Sequence, residues 1–313
     1  MLELTPNRSG KLDFDELKAS GVLPSPKGVA LAVMKEFKKE NLALPELAHI
    51  ILGDPALAGR IIKVANALNP NRNRPIASVT VDTLILVGIQ AIRQAVLGFS
   101  LVMSYKKGKC KGFNYQNFWS HSVGMACAAQ AIGAVVRIAP LAEMFTCGLL
   151  AEAGQLGLAS ARPDAYSKLL KQYAGKPLKY LLQAESDEFG MNRRDLTTAM
   201  LADWGMPKLF VDAVALYDDP ETSGFAHGSR NLNLTLTLQW AAQLANFYIA
   251  PDHERAAMLP RIFEIGSSLD LDTVQIVAIA NQAARDWLEW GGLLNIRMAA
   301  VPPLEIPEDE DGR

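Results

Sequence analysis

Residues 44–68 read LPELAHIILGDPALAGRIIKVANAL, and their spacing decides the fold class. Leu47, Ile50, Ile51, Leu57, Ile61, Ile62 and Val64 recur at intervals of three and four, the period of a helix with one buried face. Asp54-Pro55 divides the run into two helices. Pro55 suits a first helical turn, where its missing N–H would have no helical partner. Asp54 then caps that helix, because its carboxylate accepts from amides the helix leaves unbonded.

Working outward, the same period continues. Ser78 or Thr80 caps a helix over 81–87, Gly88 ends it, and another runs over 89–103. A basic, glycine-containing loop follows at 106–112. A long helix over 113–138 carries Gly124, Ala126, Ala128, Ala129, Ala131 and Gly133, small residues that permit close helix approach. Further helices are expected over 141–159, 164–173, 178–189, 194–204 and 207–216. A turn-rich break at 219–230 precedes helices over 232–249, 254–266 and 271–290. Only 78–81 offers a short strand candidate, and no repeat of 20–50 residues is apparent. The expectation is an all-α protein.

The chain has 313 residues, enough for one large domain or two moderate ones, with 50% apolar and 20% charged residues. Its formal net charge of −2 argues against a sequence-wide attraction to nucleic acid or an anionic membrane. Local basic clusters remain at Arg72 and Arg74 and at Lys106, Lys107 and Lys109, all candidates for anion contact. The three cysteines, Cys110, Cys127 and Cys147, form no Cys-x-x-Cys pair, so a reducing cytoplasm is expected. No secretory segment is visible in residues 1–10, and the weakly polar run 123–136 falls short of the roughly 20 apolar residues that span a bilayer. The tail 301–313 holds Pro302, Pro303 and Pro307 and then an acidic run. It reads as a linker or frayed terminus and leaves open a longer signalling protein.

Signatures of catalysis are missing. The sequence contains no P-loop, no G-x-G-x-x-G, no G-x-S-x-G and no H-E-x-x-H. His49, His121, His227 and His253 lie far apart in the chain. No cofactor is expected.

Several short elements together resemble the bacterial HDOD family. They are Leu23-Pro24-Ser25-Pro26, Leu52-Gly53-Asp54-Pro55-Ala56-Leu57, Lys63-Val64-Ala65-Asn66, Ile76-Ala77-Ser78-Val79 with Leu86-Val87-Gly88, Phe118-Trp119-Ser120-His121-Ser122 and Trp204-Gly205-Met206-Pro207. They occur in the family's order from about Leu23 to Pro220. HDOD domains are distant relatives of the HD phosphohydrolases, which hold metal with histidines and a His-Asp pair. The resemblance places Ala151 where that histidine would stand, Glu152 at the aspartate, Arg193 at a later histidine, and Tyr217-Asp218 at a histidine pair. Only His121 survives. Ala151 offers no lone pair and Arg193 a permanent positive charge, so the metal site is expected to be vestigial.

The resemblance implies an HD-like helical domain over 21–220, after an N-terminal segment 1–20 and before a helical extension over 221–300 and the tail. The expected function is a non-catalytic signalling or regulatory module, not an enzyme, that acts by protein–protein contact. A protein partner, an output domain or a second copy is the expected partner. Trp287 and Trp290 share a helical face; they read most simply as core, and as a partner interface if exposed. Two alternatives stand beside this reading: a degenerate HD-type metal-dependent phosphohydrolase, and a nucleotide or nucleic-acid binder using the basic loops.

Overall fold

A computed structural model describes residues 11–37, 39, 41–71 and 73–305. The first half of the chain forms α1 (Phe14–Ala19), α2 (Gly28–Glu36), α3 (Leu44–Leu52), α4 (Pro55–Leu68), α5 (Val81–Val87), α6 (Ile89–Ser104), α7 (Tyr115–Val136) and α8 (Leu141–Leu150). Then follow α9 (Ala153–Ala161), α10 (Pro163–Gln172), α11 (Leu178–Phe189), α12 (Arg193–Asp203) and α13 (Lys208–Leu216). A 3-10 turn, Pro220–Ser223, leads to α14 (Arg230–Ile249), α15 (Asp252–Ser267) and α16 (Thr273–Leu294). The described residues contain no strand, so 78–81 is not one and the fold is all-α. No single helix among them is long and apolar enough to cross a membrane.

Helix ends follow local chemistry. The Asp54 carboxylate accepts from the Ala56 and Leu57 amides at 3.0 and 3.1 Å, which starts α4. Thr80, rather than Ser78, caps α5 by accepting from the Thr83 amide. Gly88 has φ of +90°, so it both ends α5 and turns the chain by 91° into α6. The Asn66 side chain donates to the Ile76 carbonyl at 2.9 Å and accepts from its amide at 2.8 Å, fixing the loop that leads to α5.

The expected helix over 141–159 is two helices, α8 and α9, separated at Ala151-Glu152. Glu152 lies outside the helical region, with ψ of 19°. The apolar spacing runs through this break and so conceals it.

The chain divides into two compact units. Among the described residues, the first comprises those of 11–115 and 150–215, the second those of 116–149 and 216–305. In the first unit, α2 to α6 pack on one another, and α9 packs closely along α12. Gly154 sets that second approach: a Cβ there would lie 2.0 Å from the Arg193 carbonyl oxygen. In the second unit, α7 meets α14 at Gly124, where a Cβ would stand 3.0 Å from that of Ala245. The Tyr248 hydroxyl donates to the Ala280 carbonyl at 2.9 Å, tying α14 to α16.

Candidate functional site

The first unit gathers Ala151, Glu152 and Arg193 with two residues the sequence reading did not single out, Tyr166 and Glu185. Arg193 opens α12, and its position is fixed by the cap before it. The Asn192 side chain accepts from the Arg194 and Asp195 amides, while Asp195 accepts from the Asn192 amide at 3.0 Å. The Arg193 side chain thereby faces Glu185 of α11. Its Nε and Nη2 donate to Glu185 Oε1 at 2.8 and 2.5 Å, and its backbone amide donates to Oε2 at 2.9 Å. The guanidinium lies 5.9 Å from the centre of the Tyr166 ring.

This is a buried charge pair: the Glu185 side chain is 0% exposed and that of Arg193 12%. Burial works against the Arg193 charge, but Tyr166, Glu185 and Glu152 outweigh it and raise its pKa. Burial pushes the fully enclosed Tyr166 phenol upward, against the opposing effect of Arg193.

These residues do not fit a metal. Ala151 is buried and supplies no donor. Arg193 occupies Glu185 and brings a fixed cation, which repels a metal ion. Among the described residues, no three His, Cys, Asp or Glu side chains gather in a way that could hold an ion. His121 lies in α7, in the second unit, and is 8% exposed. Tyr217 is buried and Asp218 exposed, both also in the second unit.

The basic candidates are spread out. Arg72 lies outside the described residues, and Arg74, Lys107 and Lys109 are exposed. Lys106 is half-buried, and burial followed by the charge of Arg60 lowers its pKa. Arg60 of α4 is itself only 6% exposed. Its Nη2 reaches the Met103 sulfur at 3.2 Å, while its Nε has no hydrogen-bond partner in the structure. Burial lowers the Arg60 pKa, and the Asp54 charge opposes this. The sequence reading passed over Arg60. Its spacing three residues after Leu57 and four before Val64 puts it on the apolar face of its helix, a signal that was available.

Trp287 and Trp290 are not an exposed pair. They are 1% and 3% exposed within the second unit. Trp287 Nε1 donates to the Ser120 carbonyl at 2.8 Å, and the Trp290 ring lies 4.9 Å from that of Phe145. Both belong to the interior, because α16 turns its apolar face inward.

Comparison with known proteins gives one family match: the HDOD domain, over residues 23–220. Among solved structures, the MmoQ response regulator of Methylococcus capsulatus strain Bath is 32% identical, with a TM-score of 0.52. That alignment covers 82% of this chain and 97% of MmoQ. An HDOD domain protein of Geobacter sulfurreducens, of unknown function, is 21% identical with a TM-score of 0.54, over 88% of this chain and 99% of its own. A Shewanella amazonensis protein whose name carries the word phosphohydrolase is 20% identical with a TM-score of 0.61, over 89% of this chain and 98% of its own. The last two show likeness of fold alone. No curated protein matches the chain.

Proposed function

The chain belongs to the HDOD family, and we propose that it serves as a non-catalytic regulatory module in signal transduction, acting by contact with another protein. One observation carries this reading. At the position where the family resemblance expects a metal-binding histidine, Arg193 is locked onto the buried carboxylate of Glu185. A guanidinium there supplies internally, and permanently, the positive charge that a metal would bring. It also has no acid–base role near neutral pH, because it does not give up its proton. The pair makes a fixed structural element of what a phosphohydrolase needs as an open coordination site. The similarity to MmoQ, itself named a response regulator, adds support. Three buried thiols suit a reducing cytoplasm.

The test is elemental analysis of protein purified without chelator, joined to a hydrolysis assay on bis(p-nitrophenyl) phosphate with added manganese or iron. The expected result is no stoichiometric metal and no turnover. About one equivalent of bound metal, lost on His121→Ala, would overturn the reading. A pull-down with the full chain then identifies the partner.

A second reading, a nucleotide-binding regulator, is favoured by Arg60 and Lys106. A nearly buried guanidinium beside a half-buried ammonium, with Arg60 hydrogen-bonded only to a thioether sulfur, would suit an anion. Salt-sensitive binding of a nucleotide, lost on Arg60→Met, distinguishes this reading from the first.

A further inference from the structure

The second unit contains a cavity of about 950 Å³, outside the residues matched by the family. Its size lies within the range of about 300–1,000 Å³ typical of small-molecule sites. Its apolar lining comes from Phe247, from Ala256, Pro260 and Phe263 of α15, and from Pro302-Pro303. The proline wall is held in place, because the Asn281 side chain donates to the Leu304 carbonyl at 2.9 Å and accepts from the Leu304 amide at 2.7 Å. The lining is therefore largely apolar, and its proline stretch is pinned by two hydrogen bonds.

One buried cation lines this cavity. Arg255 is 7% exposed. Its Nε donates to the Phe247 carbonyl at 3.2 Å and its Nη1 to Asp252 at 2.7 Å. A guanidinium carries five N–H donors, so three of the Arg255 donors, including both on Nη2, have no protein acceptor among the described residues. Its ion-pair partner among the described residues is weak: the Asp252 side chain is 95% exposed, in contact with solvent that screens the pair. A buried guanidinium so poorly compensated attracts an oxyanion. The carboxylates of Asp252 and Glu305 also line the cavity, and they repel ligands of higher negative charge.

We propose that this cavity binds a small monocarboxylate with a flat aromatic body, its carboxylate on the unused Arg255 donors and its ring between Phe263 and the Pro302-Pro303 wall. One carboxylate satisfies Arg255, whereas a polyphosphate would meet Asp252 and Glu305 with like charge. The site lies outside the Arg193–Glu185 region, so it stands independently of the regulatory reading.

The experiment titrates the full chain with 2-naphthoate and with its neutral analogue 2-naphthalenemethanol, by calorimetry and ligand-observed NMR. Naphthoate binds one per chain, and the alcohol binds at least about tenfold more weakly, as expected for loss of a charged hydrogen bond. Arg255→Met brings the two ligands to equal affinity. Because Arg255 is buried and that variant could fail to fold, exposed Ala256 provides a second one. Ala256→Trp places an indole in the cavity lining and weakens binding of both ligands, with far-UV circular dichroism and melting temperature unchanged. Four results would each overturn the proposal: no saturable naphthoate binding, equal affinity for acid and alcohol in the unmodified chain, binding unaffected by Ala256→Trp, or binding that appears only in a chain ending at Glu305. The last would make the protein's own final residues the occupant.

Discussion

Removing the Glu185 carboxylate tests the buried pair most directly. In Glu185→Ala, three hydrogen bonds to Arg193 disappear, and a guanidinium whose side chain is 12% exposed stays behind. Breaking a buried ion pair from one side costs about 3–5 kcal/mol. The lower half of that range applies, because Glu152 still acts on the Arg193 charge and a little solvent reaches it. The Arg193 backbone amide also loses its acceptor, which adds about 1 kcal/mol if no water replaces it. A loss of about 4–5 kcal/mol is expected. With a urea dependence of about 1–3 kcal/mol per molar, the unfolding midpoint falls by about 1 M or more. The double variant Glu185→Leu with Arg193→Met removes both charges at similar volume and should recover most of that loss, since a buried pair is often replaceable by apolar residues. Urea titrations of the unmodified chain, Glu185→Leu, Arg193→Met and the double variant, followed by circular dichroism, complete the cycle, with Glu185→Ala measured beside them. The argument is refuted if the Glu185→Ala midpoint stays within about 0.2 M of the unmodified chain, or if the double variant is less stable than both singles.

Three further outcomes follow from the structure. Gly154→Ala places a Cβ 2.0 Å from the Arg193 carbonyl oxygen and 2.7 Å from the Thr197 amide nitrogen. Overpacking at the upper end of about 1–3 kcal/mol outweighs the roughly 1 kcal/mol that alanine gains over glycine in a helix; a net loss of about 2 kcal/mol is expected, and an unchanged or raised urea midpoint would contradict it. Asp54→Ala removes the acceptor for the Ala56 and Leu57 amides and should cost about 0.5–2 kcal/mol by denaturant titration, so a midpoint unchanged within error rejects the cap. Burial raises the Glu143 pKa above its usual value while the charge of Arg230 opposes this, so the fold penalises the ionised form and Glu143 contributes less to stability as pH rises through that raised pKa; Glu143→Gln should therefore compare more favourably with the unmodified chain at pH 7 than at pH 4, and melting curves showing the reverse would reject it.

Much of the helical layout was legible because it is local. The Asp54-Pro55 start and the Gly88 stop depend on a few adjacent residues, and both hold in the structure. The break at Ala151-Glu152 was not legible from periodicity, since apolar residues continue at helical spacing on both sides. At the candidate site, the resemblance pointed to Ala151, Glu152 and Arg193 but not to the partner of Arg193. Glu185 lies on α11 with Gly190 between it and α12, and its exposure depends on packing that no local pattern encodes. The same applies to Trp287, where helical phase shows which residues share a face but not what that face meets.

The second unit is assembled from separated stretches of chain, and this sets a timetable for the nascent protein. The Ser120 carbonyl in α7 must wait for the indole of Trp287, 167 residues later. At about 5–20 residues per second, the ribosome delivers that partner some 10–30 s after α7 has been made. Meanwhile α7 and α8 have none of the cover that α14 to α16 provide, and their apolar surface is open to chaperones or to another copy of the chain. A fragment ending at residue 220, where the family match stops, would lack that cover permanently. In this protein the family match ends before the helices that cover α7 and α8 have been made.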